Sequence, residues 1–178
     1  RVTAVLFEVL FLALLITVNG LFSTAEMAIV AARQARLRQR AEAGDAGARA
    51  ALALAESPDR FLSTVQVGIT LVGILTGAVG GATIAEQIGA WLSQVPWIGP
   101  IGTEMGLVIV VTVITYFSLV LGELVPKRLA LHSPERIAAM MARPMQFLGR
   151  VVAPVNRLAT SSTNLVLRLL GVHSDKAP

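Results

Sequence analysis

In the stretch FSLVLGELVPKRLALHSPE, Phe117 to Glu135, an apolar run ends in a carboxylate, Glu123, with Gly122 before it and Pro126 three residues after. Pro126 has no N–H, so the carbonyl of Gly122 loses its usual helical partner, and Gly122 has no side chain to shield that oxygen. A carboxylate beside an open carbonyl is a start towards an oxygen-only site. Hard cations such as Mg²⁺ take one or two carboxylates, neutral oxygens and retained water. Ser23 and Thr70 can add hydroxyl oxygens if their segments face Glu123. Asn19, Ser23 and Glu26 are spaced i, i+4, i+7 and share one helix face; Ser63, Gln66 and Thr70 share another. Asn19 is open between an interhelix hydrogen bond and a cation contact, and Glu26 is expected to reach towards Arg33. Thr115, Ser118 and Gly122 form a narrow stripe leading to Glu123. Gly73, Gly77 and Gly81 read as a small-residue ladder for helix packing, and Glu8 as a solvated residue near the outer surface. An ionisable residue at membrane depth is a functional-site candidate by default.

These residues need elements to hold them. The 178 residues are 54% hydrophobic and 15% charged, against about a quarter charged in a soluble domain, so the chain reads as an integral membrane protein. Three stretches are long enough to cross a bilayer: about 4–32, 60–85 and 106–125. The expected fold is all-α, a three-span membrane domain over 1–132, juxtamembrane amphipathic helices over 133–172 and a tail over 173–178. Arginines crowd the connector between the first two spans, none lies between the second and third, and Lys127 and Arg128 open another basic region. That asymmetry predicts an outer N-terminus, a cytoplasmic C-terminus and an outer loop over 86–105 with Trp91 and Trp97 as interface anchors in the cell membrane. The connector from Arg33 to Glu56 reads as two helices broken near Gly44 and Asp45. Ser57-Pro58-Asp59 and Ser133-Pro134-Glu135 read as helix starts, each with a Ser cap and a Pro at the first position. Arg136, Arg143, Arg150 and Arg157 recur every seven residues beside an apolar face of Ile137, Met140, Met141, Met145, Leu148 and Val152. This predicts an interfacial helix meeting anionic headgroups, kinked or divided at Pro144 and Pro154.

Composition also excludes. Cysteine is absent, so thiolate metal sites and disulfides are ruled out, and two separated histidines argue against a His-based zinc site. The net charge of +4 sits in loops beside apolar spans, the membrane pattern, so nucleic acid is not the expected partner. Neither a His-Glu-x-x-His motif nor a Gly-x-Ser-x-Gly elbow occurs in the spans, and an enzyme is not expected. Three functions stay open: a transporter of divalent cations, an exporter of organic cations such as polyamines, and a membrane anchor or dimerisation module that binds no cation.

Three stretches carry a resemblance. NGLFSTAEMAIVAARQARLRQRAEAGDAGARAAL resembles the first helix and connector of the CorC/CNNM (cyclin M) transmembrane domain, PDRFLSTVQVGITLVGIL its second helix, and LGELVPKRLALHSPERIA its Gly-Glu-hydrophobic-Val-Pro-Lys signature. The resemblance implies a homodimer exporting Mg²⁺ from a cytoplasm-facing cavity, with Na⁺ proposed as coupling ion. Carried over by motif, Ser23 and Glu123 match metal-contacting positions, and the stretch from Gly68 to Gly73 would supply the rest. The chain departs from the family where cation-transporting members read Gly-Asn-Thr-x-x-Asn: Ile69 and Gly73 stand in place of the two asparagines. That variant is closer to a hemolysin-like branch, some members of which are linked to polyamine export. The resemblance also implies a regulatory CBS-domain pair, which this sequence does not contain; it is expected to end soon after the juxtamembrane helices of a longer protein. The expected site is thus Ser23, Thr70, Gly122 and Glu123, supported by Asn19, Glu26, Gln66, Gly68, Gly73, Pro126 and Lys127.

Overall fold

The computed structural model describes residues 2–80, 84–97 and 99–170. Gly81, His173 and the 173–178 tail lie outside the described residues. The described residues form helices and no strands: α1 (Val2–Ala31), α2 (Gln34–Glu42), α3 (Ala46–Ala55), α4 (Pro58–Val79), α5 (Ala85–Leu92), α6 (Gly102–Leu119), a π-helical segment (Val120–Leu124), α7 (Val125–His132) and α8 (Pro134–Leu169). Three stretches are long and apolar enough to cross a membrane: Val5–Ala31, Pro58–Val79 and Gly99–His132. The fold is that of an all-α membrane protein.

The connector forms two helices, as its turn residues predict. Gly44 takes φ 95°, a left-handed conformation that favours glycine. Asp45 then caps α3, its Oδ1 accepting from the backbone N–H groups of Gly47 at 2.9 Å and Ala48 at 3.0 Å. At Ser57 and Ser133 the helices do start with Pro at the first position, but neither serine side chain makes the capping bond. The fixed φ of proline and the acid in the first turn are enough to set those starts.

The core gathers at the Arg-rich end. Ala25, Ala28 and Ile29 of α1, Ala48 and Ala51 of α3, Phe61 and Val65 of α4, and Ala138, Ala142 and Met145 of α8 are buried together. Alanines on three of these helices let their backbones approach closely. Polar ties fix α8 across that end: Glu135 Oε1 accepts from the Arg33 N–H at 3.4 Å, Gln146 Nε2 donates to Ala50 O at 3.2 Å, and Asn156 bonds both Ser63 and Thr64.

Four expectations need correction. The third span begins earlier, at Gly102, and runs past Pro126 to His132, because the π segment absorbs the proline without breaking the helix. The region expected as an outer loop contains α5, packed on α6 where Gly89 and Gly106 meet without side chains between them. α8 is not divided: it runs through Pro144 and Pro154. Met141 and Met145 are buried there, whereas Met140 faces outward beside the exposed Arg136 and Arg143. Finally, one carboxylate oxygen of Glu8 is buried with no hydrogen-bond partner among the described residues, so that side chain is not simply solvated.

Candidate functional site

Pro126 determines the local backbone. Its ring would clash with the carbonyl four residues back, Gly122, in a regular α-helix. The chain instead widens by one residue over Val120–Leu124, and the Val125 N–H donates to Val120 O, five residues back. Single-turn π segments of this kind are frequent at functional sites. The freed Gly122 carbonyl turns towards α1. It accepts from Asn19 Nδ2 at 3.1 Å and from Ser23 Oγ at 3.0 Å. Both lone pairs of one oxygen are thereby used, in a setting where Ser23 is fully buried. The close approach requires small residues on both sides. A Cβ on Gly20 would lie 3.1 Å from Pro126 Cγ, and one on Gly122 would lie 3.1 Å from Asn19 Nδ2. The open carbonyl expected beside Glu123 is therefore satisfied within the protein.

Glu123, one residue on, makes an ion pair. Lys127 Nζ donates to Glu123 Oε1 at 2.8 Å and lies 3.8 Å from Glu26 Oε2. Glu26 thus turns to Lys127 rather than Arg33, tying α1 to the third span. The Glu123 side chain is 45% exposed and Lys127 29%, so the pair is reachable rather than sealed.

The other face of Glu123 borders a cleft of about 370 Å³ between α4 and α6, floored by Ile16 and Asn19 of α1. Its polar lining is Asn19, Thr76, Thr115, Ser118 and Glu123; Ile69, Val72, Ile114 and Leu119 contribute apolar surface. Gly73 and Gly77 open the wall of α4, since a Cβ on either would meet nothing within 4 Å. Within this chain they shape a cleft and do not serve as a packing ladder. The hydroxyl oxygen of Ser118 is buried and has no hydrogen-bond partner among the described residues.

Of the expected site, Asn19, Ser23, Gly122, Glu123, Glu26, Pro126 and Lys127 come together. Thr70 and Gln66 do not: both are exposed and neither lines the cleft. Gly68 is a packing position, where a Cβ would lie 2.5 Å from the Phe22 ring. Phe61, Val65 and Val72 decide which face of α4 turns inward, and the polar stripe follows passively. Thr76 was missed. It lies one turn beyond Val72 on the buried side and donates to the Val72 carbonyl at 2.8 Å, a position that the hydrophobic face of α4 would have indicated. Among the described residues no three His, Asp or Glu side chains converge as a metal cluster.

The sequence pattern of the cyclin M transmembrane N-terminal domain matches residues 10–178. The UPF0053 protein sll0260 of Synechocystis sp. is 48% identical over 170 residues, covering 96% of this chain and 38% of that protein. A polyamine export protein of Haemophilus influenzae is 28% identical over 161 residues, covering 89% of this chain and 36% of its own length. The polyamine export protein of Escherichia coli is 27% identical over 162 residues, covering 91% and 36%. The chain spans less than half the length of these relatives. A match over nearly all of its residues, with the π segment and its Glu-Leu-Val-Pro-Lys run inside the matched region, places the chain in the cyclin M transmembrane N-terminal domain family.

Proposed function

We propose that this domain carries an organic cation with an alkyl backbone, a diamine or longer polyamine, out of the cytoplasm by alternating access of the α4–α6 cleft. The observation that carries this reading is the cleft's lining. From Val111 to Glu123 it follows α6 and the π segment for about 18 Å at ~1.5 Å per residue, apolar along most of its length. One carboxylate stands at one end, and Thr115 and the Ser118 hydroxyl, which has no partner among the described residues, lie deeper. A chain of methylenes between ammonium groups matches that order: charge at Glu123, apolar contact beyond it, hydroxyl acceptors for the second ammonium. A buried hydroxyl without a partner costs roughly 1–3 kcal/mol, which a donor from the cargo would recover. The relatives named as polyamine export proteins support the same class.

Mg²⁺ as cargo is the second reading. It is favoured by Ser23 Oγ and Gly122 O, two neutral oxygens 3.0 Å apart one residue from Glu123. It needs those oxygens to release each other, and Thr70 offers nothing from where it stands. In either case the Arg-rich end faces the cytoplasm, and α8 lies along anionic headgroups with Arg136, Arg143, Arg150 and Arg157 outward beside Phe147 and Val151.

Thermal unfolding of the purified protein with putrescine or Mg²⁺ tests this. A ligand at one hundred times Kd stabilises by about 2.7 kcal/mol, which for a chain of this size raises Tm by roughly 5–10 °C. Putrescine is expected to stabilise wild type and to do nothing for Glu123→Gln. Stabilisation by Mg²⁺ alone moves the conclusion to the second reading; equal stabilisation of wild type and Glu123→Gln by both refutes the site.

A further inference from the structure

Lys127 holds the place of a cargo cation. Its ammonium bridges two carboxylates on different spans, 2.8 Å from Glu123 Oε1 and 3.8 Å from Glu26 Oε2. Among the described residues Glu123 is also the only acidic residue lining the cleft. Two carboxylates at membrane depth with no cation between them would repel each other and carry a heavy desolvation cost. The side chains of all three groups are partly exposed, between 28% and 45%, so the bridge can open without unfolding its surroundings. A four-carbon stem lets the ammonium swing aside while the backbone stays where the π segment puts it.

We propose that Lys127 is a tethered counter-ion: its ammonium offsets one of the two negative charges of Glu123 and Glu26 while the cleft is empty and is displaced by the arriving cargo. Binding is then an exchange of one cation for another. The two carboxylates keep a cation beside them in both states, and only a cation strong enough to outcompete a built-in ammonium is loaded. The same geometry gives a route back, since Lys127 recaptures Glu123 as cargo leaves and opposes rebinding. This rests on the proposed role of Glu123 as the cargo's anion, and it specifies how that anion is kept when no cargo is present.

The chain contains two lysines, Lys127 and Lys176, so protein labelled with ¹³C at lysine Cε gives two resonances to follow. Titration of the labelled protein with putrescine and, separately, Mg²⁺ is expected to move the Lys127 resonance saturably and leave that of Lys176 in place. Lys127→Met and Lys127→Gln remove the competitor and are expected to tighten cation binding by about fivefold, the scale of a partly exposed ion pair. Lys127→Arg keeps a counter-ion and should stay near wild-type affinity. If cations bind with dependence on Glu123 but the Lys127 resonance does not move, or neither neutral variant tightens binding, the exchange is overturned and the transport reading survives. If no cation binds wild type or any variant, both fall.

Discussion

Replacing Ser23 with alanine is the sharpest test of how the π segment is held. The Gly122 carbonyl accepts two hydrogen bonds, from Asn19 Nδ2 at 3.1 Å and Ser23 Oγ at 3.0 Å. Ser23→Ala removes one donor and leaves the other, so the loss is the net value of one bond, about 1 kcal/mol. Asn19→Ala removes the other donor at a similar cost. The double variant leaves a buried carbonyl with neither, and an unsatisfied buried acceptor costs roughly 1–3 kcal/mol beyond the bonds themselves. The double variant should therefore lose about 3–5 kcal/mol, more than the two singles together, with a coupling of at least ~1 kcal/mol. At roughly 2–4 °C per kcal/mol for a chain of this size, each single should lower Tm by about 2–4 °C and the double by about 6–20 °C. Far-ultraviolet circular dichroism during heating in detergent reads this directly. Additive losses in the double variant, or a Ser23→Ala protein indistinguishable from wild type, would show that the carbonyl finds another partner and that the two α1 side chains do not hold the π segment.

Two further predictions concern the Arg-rich end. The backbone N–H of Ala48, with the Arg40 guanidinium, holds the Asp45 carboxyl below the usual carboxylate range. A depressed folded value means the cap stabilises α3 above the unfolded pKa and loses that contribution as pH falls through the lower folded value; Asp45→Ala should remove this acid-side dependence, read as Tm against pH, while Asp45→Asn keeps a neutral cap. Replacing Arg136, Arg143, Arg150 and Arg157 together with glutamine should leave the fold intact but abolish preferential retention of phosphatidylserine over phosphatidylcholine by protein in mixed-lipid nanodiscs, measured by mass spectrometry of co-purified lipid; unchanged retention would free α8 from a headgroup role.

Much of this protein is legible in one dimension because its interactions are local or averaged over long stretches. The length and apolarity of three runs determine that they can cross a bilayer. Gly44 and Asp45 set the break between α2 and α3 through their own backbone and side-chain geometry. Pro126 dictates that the Gly122 carbonyl must leave the regular helical pattern, and the motif around it marks the site. Tertiary packing decided the rest. It gave the Gly122 carbonyl to Asn19 and Ser23, about a hundred residues away in sequence, and turned Glu26 to Lys127 instead of Arg33. It also buried Phe61, Val65 and Val72 of α4 against the core and set the cleft along Ile69, Gly73, Thr76 and Gly77, so that Thr76 lines it and Thr70 does not. Helical spacing says which residues share a face; only the neighbouring helices, competing to bury apolar surface, determine which way that face points.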